Sequence, residues 1–137
     1  MANRFKHPFK WRAKRHPITQ KFGYNKARKK WHYAVDLAAK LGTVIFAIAG
    51  GVVIDKGYNP DPNSGLGHWI KIRHIFGVVS LYAHMRYASR YRIGQRVRVW
   101  LPIGLVGATG AATGPHLHFG IEVNGVAVDP LHYLANH

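Results

Sequence analysis

The chain has 137 residues, with 20 lysines and arginines against 5 acids, ten histidines, no cysteine and a formal charge of +15. Hydrophobic residues make up 47% and charged residues 18%, a balance that suits one globular domain and excludes a disordered chain, while the lack of cysteine excludes disulfides and thiolate metal ligands and leaves histidine and carboxylate. Positions 1–10 are basic with no apolar core behind them, so no secretory signal is expected, and the best apolar run, 43–54, falls short of the roughly 18 residues a spanning helix needs and contains Gly50 and Gly51.

Residues 1–30 hold eleven lysines and arginines and no acid, interleaved with Phe5, Phe9, Trp11, Phe22 and Tyr24. The pattern predicts a basic N-terminal arm over 1–16, carrying His7 and His16, on a single domain spanning 1–137. Such a run keeps a protein soluble or draws it to a polyanion. Nucleic acid would let the aromatic rings stack on bases; an anionic wall polymer or a negatively charged envelope surface would answer the charge alone.

Trp31 Tyr33 and Ala34 surround a histidine and a carboxylate four residues apart, His32 and Asp36. Both side chains suit a divalent metal such as zinc. Asp36 sits in an apolar segment, 33–39, and a carboxylate there needs a partner.

From Val35 onward the signals are those of a β protein. Positions 43–47 and 51–54 are short β-branched runs, 68–73 alternates apolar with basic residues, and 77–83 is a further strand. Fifteen glycines and seven prolines fit many turns. The stretch 57–65 reads as the clearest loop, a groove wall or a plain connection. Arg96 and Arg98 are expected on an exposed strand face, with Val97 and Val99 inward. Another β segment begins at 101–104. His68 and His74 flank a predicted strand, His74 as a structural residue, and His132 and His137 lie near the terminus, where exposure is the default.

Gly114 Pro115 His116 Leu117 His118 Phe119 is the most specific stretch. In a strand, His116 and His118 emerge on one face and Leu117 and Phe119 on the other, so one face is free for chemistry while the other packs. The continuation through Ile121, Glu122 and Val123 to Asn124-Gly125 and Val126 to Val128 is a two-residue hairpin signal. Two imidazoles on a rigid strand, with His32 and Asp36 elsewhere, suggest a metal site.

The ordered set His32, Asp36, the segment Leu81 Tyr82 Ala83 His84, and 114–119 resembles the lysostaphin and LytM-type zinc metallopeptidases, which cut peptide cross-links in bacterial cell walls. The likeness begins at Ile18 to Gly23, similar to the family's entry strand. It continues through Gly94 to Val97 and Ile103 to Gly110 and ends at Val128 Asp129 Pro130. It implies a mostly β single domain, with a central antiparallel sheet crossed by a substrate groove, in the LytM/lysostaphin-like (duplicated hybrid motif) arrangement. It also implies one Zn2+ ion on His32, Asp36 and His118, with the remaining position left for a water whose pKa falls to about 7. His116 and His84 are then implied beside the metal, to accept a proton from the attacking water, orient it and help stabilise the oxyanion. Tyr33 and Tyr82 are candidate substrate or oxyanion contacts, with core or rim packing as the other role for each.

Composition narrows the proton acceptor separately. The only glutamate is Glu122, there is no His-Glu-x-x-His helix, and Glu122 lies about 13 Å along the strand from His118. Histidine, with an ordinary pKa of about 6.5, is the better acceptor. The chain departs from the family at Ala34, where glycine is usual, and at Gly120, where Phe119 is commonly followed by glutamate.

The expected function is therefore a zinc endopeptidase that hydrolyses peptidoglycan peptide bridges through metal-activated water and so degrades or lyses the wall. The expected partner beyond the bridges is an anionic wall polymer or the outer-envelope surface, and the protein is expected to be a monomer. Without a signal, the expectation is release by lysis, delivery by a phage particle, or an excised domain. Two rivals remain: a non-catalytic wall-binding or hydrolase-activating protein of the same fold, and a basic nucleic-acid-binding β domain, which explains the arm but not the histidine set. Glycine bridges and direct cross-links ending in D-alanine are both open.

Overall fold

Short β-branched runs cut by glycine turns have few partners except one another, and here they pair into antiparallel ladders. The computed structural model describes residues 5–10 and 15–135. Its strands are β1 (Ile18–Gln20), β2 (Gly23–Asn25), β3 (Lys30–His32), β4 (Val35–Ala38), β5 (Val44–Phe46), β6 (Gly51–Asn59), β7 (Gly67–Arg73), β8 (Val78–Met85), β9 (Arg96–Val97), β10 (Pro102–Leu105), β11 (His116–Val123) and β12 (Val126–Val128). An eight-stranded sheet runs β1-β4-β11-β8-β7-β6-β9, with β12 paired to β11, and two-stranded pieces join β10 to β5 and β2 to β3. The mostly β, antiparallel architecture matches the expectation. Among the described residues no helix is long and apolar enough to cross a membrane.

Alternation decides which sheet face is covered. Val35 and Leu37 of β4, Leu117, Phe119 and Ile121 of β11, Tyr82 of β8 and Ile70 and Ile72 of β7 are buried in one core with Ile45, Ile48, Ile103 and Val106. Asn124 and Gly125, at φ 50° and 84°, are the two residues between the paired Val123 and Val126. Positive φ at both is what a tight hairpin turn compatible with strand twist requires.

Three stretches differ from the sequence expectation. First, in the basic segment 1–16 Phe5 and Phe9 are 3% and 2% exposed, and His7 is buried with its Nδ1 accepting the Phe9 N–H at 3.0 Å. Phe5 bridges Leu134, so two aromatic side chains anchor a stretch whose charge pattern alone predicts an arm; positions 1–4 and 11–14 lie outside the described residues, as does His137. Second, β6 continues to Asn59, paired with Gly67, so the loop begins at Pro60. Gly57 is paired with Trp69 within that ladder, and its lack of a side chain leaves room for the indole, which a Cβ would approach to 2.9 Å. Third, β9 ends at Val97, alternation stops there, and Val99 is exposed.

His74 is structural, as expected. Its Nδ1–H donates to the Gly50 carbonyl (2.8 Å), which leaves Nε2 to accept from the Ser80 hydroxyl (2.8 Å). Ser80 in turn shares a hydrogen bond with the Tyr82 hydroxyl (2.9 Å). Burial lowers the His74 pKa, only partly opposed by the Gly50 carbonyl. The unfolded chain therefore binds the proton more readily, and the stability this residue contributes is full above about pH 6.5 and lost as pH falls through its folded pKa. Urea unfolding midpoints should decline on acidification below that point, with a shallower decline in His74→Gln. An unchanged slope in that variant would remove His74 as the cause.

Candidate metal and catalytic site

β4 and β11 lie side by side with Asp36 directly opposite His118 and Ala38 opposite His116. Since Val35, Leu37, Leu117 and Phe119 point into the core, Asp36, His116 and His118 share the other face. His118 Nδ1 is 2.9 Å from Asp36 Oδ1, His32 Nε2 is 3.4 Å from the same oxygen, and His116 Nε2 is 3.7 Å from it. His32, at the end of β3, Asp36 and His118 offer ligand atoms all within 4.8 Å of one another.

His84 reaches this face by breaking alternation. Strict period two would put it on the side of Ser80 and Tyr82, but the β7–β8 register shifts between Tyr82 and Met85 and His84 has φ 60°. The extra residue is a bulge, held at a cost of order 1–3 kcal/mol for left-handed backbone at a non-glycine residue. Its ring centroid then lies 4.9 Å from His116 and 5.6 Å from His118.

Carbonyls anchor three of these rings. His32 Nδ1 meets the Lys21 carbonyl (3.1 Å), His84 Nδ1 that of Thr109 (2.7 Å) and His116 Nδ1 that of Gly114 (3.0 Å). A carbonyl can only accept, so each Nδ1 carries the proton and each Nε2 presents a lone pair to the site. At His32 and His116 that lone pair faces the Asp36 carboxylate, an arrangement of acceptors that only a cation, proton or metal, resolves. The donor set of two imidazole nitrogens and one carboxylate oxygen fits a zinc-type ion.

The electrostatics express the same demand. Burial would raise the Asp36 carboxyl, but hydrogen bonds with His118 and His32 and the neighbouring imidazoles hold it well below the usual carboxylate range. Burial works to lower His32, yet the hydrogen bond and charge of Asp36, with the Lys21 carbonyl, raise it above an ordinary histidine. Burial holds His84 low despite the Thr109 carbonyl, and the rings of His116 and His118 add to this.

The cluster lines a groove of about 490 Å³, walled by Asn63 and Ser64 of the 60–66 loop and by Thr113 and Gly114. Tyr33 is exposed beside His32. Tyr82 is corrected: it is fully buried on the opposite face, its hydroxyl accepting the Ile48 N–H (3.3 Å), because alternation from Leu81 turns it inward before the bulge. Glu122 pairs with Lys71 at 3.3 Å, away from the cluster. The two departures at Ala34 and Gly120 are neighbours, since a Cβ on Gly120 would lie 3.7 Å from that of Ala34, in ordinary contact. Sequence reasoning missed the carbonyls of Lys21, Thr109 and Gly114, which carry no side-chain signal, and the groove cations Arg28 and Lys30, hidden among other basic residues.

The chain matches peptidase family M23 over residues 30–130. It is 38% identical over 128 residues to the DD-carboxypeptidase/endopeptidase Mpg of Neisseria meningitidis serogroup B, 93% of this chain and 26% of that protein. It is 35% identical over 115 residues to the peptidoglycan DD-endopeptidase ShyC of Vibrio cholerae, 84% of this chain and 24% of that protein. The chain thus spans about a quarter of the length of these relatives. Among solved structures, a zinc-containing peptidase from Vibrio cholerae superposes with TM-score 0.77 at 28% identity, covering 95% of this chain and 39% of that one. The catalytic domain of lysostaphin from Staphylococcus simulans gives 0.74 at 28% identity, covering 87% and 92%.

Proposed function

The chain belongs to peptidase family M23, and from that premise we propose that it is a zinc-dependent endopeptidase that hydrolyses the peptide cross-bridges of bacterial peptidoglycan, working as a single domain on the cell wall. The observation that carries the reading is the meeting of His32, Asp36 and His118 with His84 and His116 at one groove. The peptidoglycan endopeptidase and zinc-containing peptidase among its relatives support the substrate and the metal.

His32 through Nε2, Asp36 through Oδ1 and His118 through Nδ1 would hold one Zn2+. When bound, that ion supplies Lewis acidity and a water acidic enough to ionise near neutrality. The remaining work falls to the chain. His84 and His116, each with Nδ1 committed to a carbonyl, would use Nε2 to take a proton from the attacking water and, once protonated, to donate to the oxyanion or the leaving amine. Burial lowers the His84 pKa, which favours the neutral form that a proton acceptor needs. Tyr33, at the rim, would touch substrate. The wide positive surface would concentrate the protein at anionic wall polymers.

Purified protein incubated with purified peptidoglycan should release new amino groups and convert cross-linked fragments to uncross-linked ones. A chelator should stop this and added zinc restore it, with one ion per chain measured by atomic spectroscopy. Absence of zinc uptake together with intact cross-links would end the reading.

A further inference from the structure

The groove carries charge beyond the histidine cluster. Its lining includes two permanent cations, Arg28 and Lys30, and one acid, Asp36, which is already engaged by His32, His116 and His118. No ion pair among the described residues uses Arg28 or Lys30 as the cation. Arg28 is nevertheless placed rather than loose. Its backbone N–H donates to Asn25 Oδ1 (3.1 Å) and its Nη1 donates to Gln20 Oε1 (3.2 Å). Gln20 is the cross-strand partner of Asp36 in the β1–β4 ladder, so the guanidinium is tethered to the residue beside the centre. Gln20 is neutral, which fixes the fork and leaves its charge uncompensated.

We propose that Arg28, assisted by Lys30, is a carboxylate-binding residue of the groove, so that the preferred substrate is a peptide bearing a free carboxylate near the scissile bond rather than a neutral bridge. A planar guanidinium fork matches a carboxylate with two hydrogen bonds, and an oligoglycine bridge offers this pair no charge within the bridge itself. The inference rests on the hydrolytic reading above and deepens it by naming the substrate class. The carboxylate has two sources, the C-terminal α-carboxylate of a stem peptide or a side-chain carboxylate within it.

The test uses three synthetic peptides of one cross-linked sequence: both carboxylates free, the C-terminal one amidated, or the side-chain one amidated. KM and kcat are measured for the parent, Arg28→Gln and Arg28→Lys. The expected result is a KM about tenfold higher for Arg28→Gln on the free acid, with kcat within about twofold and part of the loss recovered by Arg28→Lys. The amide that raises the parent's KM to the same extent, and on which Arg28→Gln has no further effect, identifies the source. An equal KM rise on all three peptides, or a parent indifferent to amidation, overturns the inference while leaving hydrolysis intact. Equilibrium binding of the same peptides, before and after chelator treatment, separates the two readings, because a bound cation would itself attract a carboxylate. If the parent cleaves none of the peptides, the hydrolytic reading is what fails. A binding preference for the acid that survives chelation and disappears in Arg28→Gln then supports the inference, and equal binding overturns it.

Discussion

His118→Ala is expected to lose bound metal and hydrolysis together, whereas His116→Ala is expected to keep the metal and lose turnover by about 10²–10⁴-fold. The two residues share one strand and one face, so strain and folding cost should be similar, and what separates them is position relative to Asp36. His118 is its direct cross-strand partner, with Nδ1 at 2.9 Å, while His116 is two residue pairs along the ladder, with Nε2 at 3.7 Å and Nδ1 tied to Gly114. Removing His118 leaves His32 and Asp36, an incomplete set for a zinc-type site. Removing His116 leaves all three donor atoms and deletes a proposed proton acceptor. Zinc content by atomic spectroscopy, run beside single-turnover hydrolysis, reads both properties on the same sample. If His116→Ala loses zinc as readily as His118→Ala, the division between holding the ion and moving the proton is wrong. Asp36→Ala should follow His118→Ala, and more severely, because the carboxylate is the common partner of the surrounding imidazoles.

The paired histidines were legible because alternation on an unbroken strand is a strict rule: Leu117 and Phe119 had to be buried if His116 and His118 were to be free, and they are. The Asn124-Gly125 hairpin was legible for a similar reason, since only residues tolerant of positive φ can close a two-residue turn of that twist. Alternation misleads at His84, where one inserted residue reverses the side to which the ring points; the same rule places Tyr82 correctly in the core, which removes it as a groove contact. Phe5 and Phe9 show another limit. Charge density describes what the solvent sees, and a segment can be strongly basic while two aromatic side chains tie it to the interior. The ring anchors could not be read at all, because they are backbone carbonyls brought in by loops whose approach depends on tertiary contact.

Gly110→Ala is expected to damage both stability and turnover although it touches no histidine. At φ 74° alanine is strained, and its Cβ would collide with the Gly67 nitrogen and the Gly65 carbonyl, both backbone atoms. Together these should cost about 2–4 kcal/mol in unfolding free energy. The collision opens a seam that holds the site. Across it the Ala111 N–H donates to the Gly65 carbonyl (2.8 Å) and the His84 N–H to the Leu66 carbonyl (2.8 Å). Thr109 Oγ1 donates to the Met85 carbonyl (2.7 Å) and accepts the His68 N–H (3.1 Å). The Thr109 carbonyl, fixed by these bonds, receives His84 Nδ1. Displacing it by even an ångström frees the ring to turn, and a misplacement of that size in a reacting group costs about 10²-fold in rate. Gly125→Ala is the matched control, with φ 84° but nothing within 4 Å of the new Cβ; it should cost about 1 kcal/mol and leave turnover unchanged. Urea unfolding and kcat measured on both variants check the account. If Gly110→Ala behaves like Gly125→Ala in both, the packing of the two loops is not what orients His84, and the bulge in β8 must hold the ring by itself.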